Sequence, residues 1–211
     1  MDADECMIPI TAIINNASMN MIMNQYKIAV IVGSIRKDSL NKKLADAIIR
    51  IAPSGFSFMH VLISDLPLYN QDDDANPAES VKRLRREIGG ADGLLFLTPE
   101  YNRSIPGVLK NALDHASRPH GQSVWAGKPA GILGVALGAA GTALAQQHLR
   151  NILACLDVPV LGQPEAFIQA REGLFSEDGT IGPGSKPFLQ NWVDQYARWI
   201  KLHVTLIEEV S

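Results

Sequence analysis

The sequence predicts an α/β protein with a doubly wound, five-stranded parallel sheet in the order 2-1-3-4-5 and helices on both faces. Short continuous apolar runs, typical of strands buried on both faces, alternate with segments whose apolar residues recur at helical spacing. This alternation implies right-handed crossovers between parallel strands. No internal repeat or low-complexity tract interrupts the pattern. The predicted strands are residues 27–32, 56–63, 93–98, 130–137 and 158–161.

Helices with recognisable boundary signals separate the strands, and a last helix closes the chain. The first begins near Leu40 and is stopped by Pro53, and the second ends at Gly89 and Gly90. Pro106 stands at the first position of the third helix, where its missing N–H costs nothing. The apolar positions that define the five helices lie around residues 40–51, 81–88, 106–116, 145–156 and 188–200.

Composition narrows the class of function. The 211 residues carry 19 Lys and Arg against 22 Asp and Glu, a net charge of −3, which gives no electrostatic footprint for nucleic acid or an anionic membrane. No apolar run approaches the roughly 18 residues of a membrane span. The two cysteines, Cys6 and Cys155, provide neither a disulfide framework nor a metal cluster. We therefore expect one domain over residues 26–205 in a reducing, cytoplasmic compartment.

Residues 1–25 precede the first strand and are expected to form a loosely ordered extension. The segment is fairly apolar, but Asp2, Asp4 and Glu5 stand where a secretory signal needs a basic region, and the first basic residue is Lys27. An upstream start codon would also account for it. A docked extra helix is the alternative, and the sequence leaves both open.

The loop after strand one, residues 33–41 (GSIRKDSLN), has the features of a phosphate site. It joins a strand to a helix N-terminus, so backbone N–H groups and the helix dipole favour an anion there. Ser34, Ser39 and Asn41 add side-chain donors, and the Arg36 guanidinium suits phosphate oxygens. The loop is neither a Walker A nor a GxGxxG motif. The alternative is that Ser39 only caps the helix and that the basic residues are solvated.

Two further loops are expected at the same edge of the sheet. Residues 98–107 (TPEYNRSIPG) lie after strand three and predict a rigid ledge whose backbone can bond the edge of a flat heterocycle, with Tyr101 at its rim. Residues 136–142 (ALGAAGT) are mostly small and permit close approach of a planar ligand. Each loop also has a structural explanation: an ordinary proline-bounded turn, and relief of crowding beside helix four. The winding reverses between strands one and three, which favours a shared ligand site.

Two motifs in combination resemble a known family. GSIRKDSLNKKLA (33–45) and TPEYNRSIPGVLKNALDHASRP (98–119) are similar to the NADPH-dependent FMN reductase family, which includes bacterial quinone, chromate and azo-compound reductases. The resemblance is strong over about residues 27–150 and weak from there to about 203. It implies a flavodoxin-like fold in which residues 26–205 hold FMN non-covalently, usually as a homodimer or homotetramer.

The resemblance also implies which residues bind FMN. The loop after strand four departs from the family pattern, because Ala136 replaces a serine and Thr142 a glycine, which leaves backbone contacts from Gly138 and Gly141. The family pattern puts the FMN phosphate on Ser34, Arg36, Ser39, Leu40 and Asn41, and the isoalloxazine edge on Pro99, Glu100, Tyr101 and Asn102.

One position beside the expected flavin distinguishes this chain. Arg103 stands where relatives often have a small residue, and we expect it, together with Tyr101, to contact the substrate. An arginine there would attract the phosphates of NADPH, an anionic acceptor or the reduced flavin. A solvated arginine or an ion pair between subunits is the alternative.

The implied activity is that of an NAD(P)H-dependent oxidoreductase. Hydride would pass from NADPH or NADH to N5 of FMN, and two electrons would then pass to a small acceptor such as a quinone, an azo compound or chromate, in a ping-pong sequence. The cofactor carries the chemistry, so no catalytic side chain and no metal ligand is predicted. Lys110 and Asn111 are expected to support the loop after strand three from the helix below it.

Two other functions use the same binding residues. A flavodoxin-type carrier would shuttle single electrons without turning over a substrate, but such carriers tend to be strongly acidic. A sensor or scaffold that binds FMN without catalysis is the other. For the expected oligomer, helix three and the face of helix four, with Gln146, Gln147 and His148 exposed, are the predicted interface.

Overall fold

A computed structural model describes residues 25–210 of the chain, with side chains described to residue 205. The expectation for residues 1–25 lies, except for residue 25, outside the described residues. The described chain contains one parallel sheet in the order β2-β1-β3-β4-β5, which confirms the predicted fold class. The strands are β1 (Tyr26–Val32), β2 (Phe56–His60), β3 (Gly93–Leu97), β4 (Ala130–Ala136) and β5 (Phe167–Gln169).

Five α-helices cover the two faces of this sheet. A short 3₁₀ helix, Gln71–Asp73, adds to them within the acidic loop after β2. Within the described residues, no helix combines the length and apolar character that a membrane span requires. The helices are α1 (Leu40–Arg50), α2 (Glu79–Gly89), α3 (Gly107–Ala116), α4 (Ala143–Cys155) and α5 (Lys186–Val210).

The alternating side chains of β1 enter two separate cores. Ile28 and Val30 pack with α1 and α5, whereas Ala29 and Ile31 pack with α2, α3 and α4. Helix α5 lies directly on the sheet because β4 contributes Gly131, where an added Cβ would stand 2.6 Å from the ring of Tyr196. The two faces are therefore both fully covered, as the continuous apolar runs of the strands require.

The predicted position of strand five is wrong. Residues 158–161 make a single bridge, Val160 to Ala130 at the start of β4, and the paired strand is Phe167–Gln169 at the end of β4. Ala130 donates to the carbonyl of Pro159 at 2.9 Å, and its own carbonyl accepts from Leu161 at 2.8 Å. The apolar run is buried because it covers the β4 edge, but Pro159 has no N–H to extend a ladder.

Two predicted boundaries also differ. Pro106 is the N-cap of α3, with φ −60° and ψ 145°, so the helix begins one residue later at Gly107. Strand β2 ends at His60 rather than at residue 63, although Val61 and Ile63 are buried. The backbone N–H of Val61 still donates to the carbonyl of Val30, but the strand pairing ends there. The side chains of Val61 and Ile63 fill the core beside α2 and α3.

Candidate functional site

The three predicted loops meet at the carboxyl edge of the sheet around one cleft of about 310 Å³. Helix α1, after β1, lies on one face of the sheet, and α3, after β3, lies on the other, so the cleft occupies the switch point of the winding. Nine of the eleven predicted FMN residues line it, together with three residues that were not among those eleven. The lining consists of Ser34, Arg36, Ser39, Leu40, Asn41, Pro99, Glu100, Tyr101 and Gly138, with Val135, Ala136 and Leu137 from the end of β4.

Residues 33–41 form the first side of the cleft, which we call the phosphate wall. Ser39 is the N-cap of α1, and its hydroxyl oxygen accepts from the backbone N–H of Lys42 at 3.2 Å. No acidic residue occupies the first turn of the helix, so its positive end is not neutralised from within. Ser34, Arg36 and Ser39 line the same cleft at the start of α1, so two serine hydroxyls, a guanidinium and a helix N-terminus are available there, a combination that suits a phosphate monoester.

Asn41 has a role in the fold that the sequence did not reveal. Its side chain is 3% exposed, its Nδ2 donates to the carbonyl of Val135, and its Oδ1 accepts from the N–H of Val135, both at 3.0 Å. The side chain thereby bonds both backbone groups of Val135 near the end of β4 and ties α1 to the floor of the cleft. One amide hydrogen remains for a ligand.

Residues 98–104 form the opposite side, which we call the ring wall. The backbone N–H of Tyr101 donates to the carbonyl of Ser104, and the N–H of Ser104 donates back, both at 3.0 Å. Asn102 and Arg103 between them have φ values of 53° and 63°. Two positive φ angles in a two-residue connection indicate a type I′ turn. Asn102 tolerates this conformation, whereas Arg103 is strained in it.

Two side chains attach the ring wall to α4. The Glu100 carboxylate turns toward the helix and its Oε2 accepts from the N–H groups of Leu144 at 2.9 Å and Ala145 at 3.0 Å. The Ser104 hydroxyl lies 3.0 Å from Nδ1 of His148. Glu100 therefore caps α4, a role that Thr142 at the N-cap position does not perform with its own side chain. Glu100 nevertheless remains part of the lining of the cleft.

The small residues after β4 divide between two tasks. An added Cβ at Gly138 would meet nothing within 4 Å, so this residue leaves open space at the cleft. Gly141 has φ 58°, and a Cβ there would stand 2.7 Å from the carbonyl carbon of Phe167 in β5. Gly138 thus fits its predicted place, whereas Gly141 is required for close packing against β5 and does not line the cleft.

Two predicted residues stand apart from the cleft lining. Asn102 and Arg103 are exposed at the tip of the ring wall, and Tyr101 is half exposed at its rim. Arg103 is not part of the cleft lining. A position at the exposed tip agrees with the predicted contact of Arg103 to a substrate. Asn102, in contrast, has no side-chain contact with the cleft.

Lys110 and Asn111, the two predicted supports of the ring wall, bond elsewhere, and Gln146 is also placed differently from its prediction. Lys110 Nζ donates to both carboxylate oxygens of Asp114 on the same helix, at 2.7 Å. Asn111 does not hold the ring wall: its Nδ2 donates to the carbonyl of Pro67 and its Oδ1 accepts from the N–H of Tyr69, both at 2.8 Å. His115 contacts the same Pro67 carbonyl at 2.9 Å. Gln146, expected at an exposed interface, is fully buried, because its Nε2 donates to Thr142 Oγ1 and to the carbonyl of Ala166. The described residues contain no group of three side chains able to hold a metal.

Comparison with known proteins agrees with this geometry. The model of the NADPH-dependent FMN reductase family matches residues 26–172. The chain is 53% identical over 176 residues to a 2-hydroxy-1,4-benzoquinone reductase of Burkholderia sp., covering 83% of this chain and 96% of that protein. It is 48% identical over 179 residues to a quinone reductase of Pseudomonas putida, covering 84% and 96%.

The fold is also similar to that of a solved structure. FerB, a flavoenzyme NAD(P)H:(acceptor) oxidoreductase from Paracoccus denitrificans, superposes with a TM-score of 0.81 at 44% identity over 84% of this chain and 98% of that one. Fold and site together define a flavodoxin-like oxidoreductase that uses FMN with NAD(P)H. The chain belongs to the NADPH-dependent FMN reductase family.

Proposed function

We propose that the protein is an FMN-dependent NAD(P)H:quinone oxidoreductase. The observation that carries the proposal is the cleft itself, in which an anion-binding wall faces a rigid, largely backbone-built ledge across space open to solvent. FMN, held by the residues of this cleft, would supply the chemistry of hydride uptake from the reduced nicotinamide and of two-electron transfer to the acceptor. The three relatives described above have names that refer to quinone or acceptor reduction, which supports the same assignment.

The side chains of the protein bind and orient in this proposal. The phosphate wall holds the FMN phosphate through the α1 N-terminus and Arg36, and the ring wall holds the isoalloxazine edge through its backbone. Tyr101 and Arg103 contact whatever docks over the ring. The FMN-binding residues in the proposal are Ser34, Arg36, Ser39, Leu40, Asn41, Pro99, Glu100, Tyr101 and Gly138, within a domain of residues 26–205. Asn102 and Gly141, which the resemblance also implies, do not line the cleft and are left out of the proposal.

The apolar rim of the cleft favours a flat organic acceptor. Leu137 is 77% exposed and Tyr101 48% exposed beside the ring position, which gives a quinone or azo compound an apolar surface. Chromate would rely on Arg103 alone among the rim residues. We place quinones first among acceptors, and we propose that the protein works in the cytoplasm as a homodimer or homotetramer.

An anaerobic visible spectrum of the purified protein tests the proposal. NADPH or NADH should bleach the flavin bands completely, and 1,4-benzoquinone added afterwards should restore them. Bound flavin that neither nucleotide bleaches would favour a flavodoxin-type carrier or a sensor. A colourless protein that takes up no added FMN would contradict the assignment altogether.

A further inference from the structure

A second groove of about 330 Å³ lies beside the FMN cleft, between the carboxyl ends of β1 and β2. The two spaces share the lining residues Ser34 and Arg36, and both belong to the phosphate wall. No residue of the ring wall lines the groove. A ligand that fills the cleft can therefore continue into the groove from its phosphate end.

This point of contact restricts the kind of ligand that uses both spaces. A nicotinamide or an electron acceptor docks at the ring wall, on the opposite side of the cleft from the groove. A molecule that fills the cleft as FMN does and also enters the groove carries a further group beyond the 5′-phosphate. FAD is such a molecule, because an adenylyl group is joined to the phosphate of FMN. The volume of the groove lies within the range of about 300–1,000 Å³ that is usual for ligand sites.

The charges at the groove favour a second phosphate. Two carboxylates come near it: Asp38 lies in the same loop but is exposed and lines neither space, and Asp46 Oδ1 is 3.1 Å from Nε2 of His60, a lining residue. No carboxylate is itself among the described residues that line the groove. Positive charge is therefore in excess even when both are counted, which suits a pyrophosphate. The Lys and Arg side chains in the lining are Arg36, Lys37 and Lys42.

The groove also has apolar walls that suit a purine. Ile35, from the loop after β1, is 63% exposed, and Leu62, from the segment after β2, is 52% exposed. Both side chains line the groove. Exposed aliphatic side chains beside cations provide an apolar surface for a flat base next to a site for its phosphate.

We propose that this groove binds the adenylyl half of FAD, so that the protein accepts FAD as well as FMN. The inference rests on the proposed function, in which the phosphate wall holds the flavin phosphate. Arg36 then lies between the two phosphates, and Lys37 and Lys42 bind the second one. Ile35 and Leu62 contact the adenine, and the contacts of the isoalloxazine with the ring wall are the same for both flavins.

The test is a calorimetric titration of the full chain, freed of flavin, with FMN and with FAD, and the quantity compared is the ratio of the two Kd values. A Lys37→Ala/Lys42→Ala double variant removes two groove cations. Lys43→Ala is its control, because Lys43 has the same charge on the same helix but does not line the groove. Leu62→Glu places a carboxylate in the groove, and Met59→Glu, at an exposed position outside the lining, controls for that change.

The wild type should bind FAD with a Kd within about tenfold of that for FMN. The double variant and Leu62→Glu should each raise the Kd for FAD by about tenfold, as expected for lost or opposed contacts to a charged phosphate. The Kd for FMN should change much less in both variants. Lys43→Ala and Met59→Glu should leave the ratio unchanged.

The inference alone would be overturned by a wild type that takes up FMN but binds FAD more than about tenfold more weakly. A ratio that stays the same in both groove variants would also overturn it. Binding of AMP to the FMN-loaded protein, without uptake of FAD by the flavin-free chain, would assign the groove to a free nucleotide instead. A wild type that takes up neither flavin is a different result, because it contradicts the proposed function and this inference with it.

Discussion

The two walls of the cleft achieve rigidity in different ways. The phosphate wall places its polar groups by local structure, since the Ser39 cap and the start of α1 orient them within one turn. The ring wall is fixed from outside its own segment, because Glu100 bonds the start of α4 and Ser104 contacts His148. An anion can be held by a helix end and a few side chains, whereas a flat ring needs a backbone edge that cannot shift.

Substitutions in the two walls should therefore affect different properties of the protein. A change at the phosphate wall should release FMN from a protein that is otherwise intact. A change at the supports of the ring wall should also lower the stability of the apoprotein.

Gly134→Ala should have the largest effect, because the added methyl group would displace the residues on which the ring wall rests. A Cβ at this position in β4 would overlap the Thr98 carbonyl oxygen and Thr142 Oγ1, at the end of β3 and the start of α4. Overpacking of this kind costs about 1–3 kcal/mol or more in the free energy of unfolding. Urea denaturation of the apoprotein measures it. Gly138→Ala is the control, because its Cβ would meet nothing within 4 Å and should change stability by less than about 0.5 kcal/mol.

Arg36→Ala should weaken FMN binding by about 10- to 100-fold, the effect of losing a hydrogen bond to a charged group worth about 1.5–3 kcal/mol. Stability of the apoprotein should be unchanged, because Arg36 is exposed. Fluorescence titration of apoprotein with FMN measures the Kd, and Lys43→Ala serves as the charge-matched control. Full flavin retention in the purified Arg36→Ala variant would refute the assignment of the phosphate wall.

Glu100→Gln should lower apoprotein stability by about 1 kcal/mol, because a neutral amide replaces the charged cap of α4. FMN binding should weaken by a few-fold, since the ring wall loses its tie while its backbone is retained. Thermal denaturation of the apoprotein measures the loss of stability, and titration with FMN measures the loss of affinity. Glu172→Gln, an exposed loop substitution, is the control. Equal effects of the two substitutions would show that the Glu100 bonds do not hold the ring wall to α4.

The smallest effect is expected at Arg103, where two substitutions separate charge from strain. Both Arg103→Ala and Arg103→Gly should raise KM for NADPH or an anionic acceptor by a few-fold while FMN stays bound. Only the glycine variant should gain stability, by about 1 kcal/mol, because φ is 63° at this position. Steady-state kinetics and denaturation test the two effects separately. Unchanged kinetics in both variants would remove Arg103 from the substrate contacts.

The wall built locally was also the one that could be predicted in most detail. A serine cap, an arginine and a helix start lie within nine residues, so local sequence specifies their relative positions. The capping role of Glu100 had no local signal, because its partners, Leu144 and Ala145, are over forty residues away. Gln146 was misjudged for a similar reason: its partner Ala166 is twenty residues away.

Strand five shows the same limit at the level of the fold. The run at residues 158–161 is apolar because it is buried against the start of β4, and apolarity alone does not distinguish burial from pairing. The true strand, Phe167–Gln169, has three residues, too few for a periodic pattern. Its backbone packs closely against Gly141 in the loop before α4, a tertiary contact that leaves no pattern within residues 167–169.

By itself, the sequence determined the parallel sheet and its order and predicted an anion site after β1, because apolar period, helix caps and loop chemistry act over a few residues. Tertiary structure alone decided which strand closes the sheet, which side chain caps α4 and how Asn41 joins α1 to β4. These contacts depend on distances between segments far apart in the chain. Such distances are set only when both cores are packed.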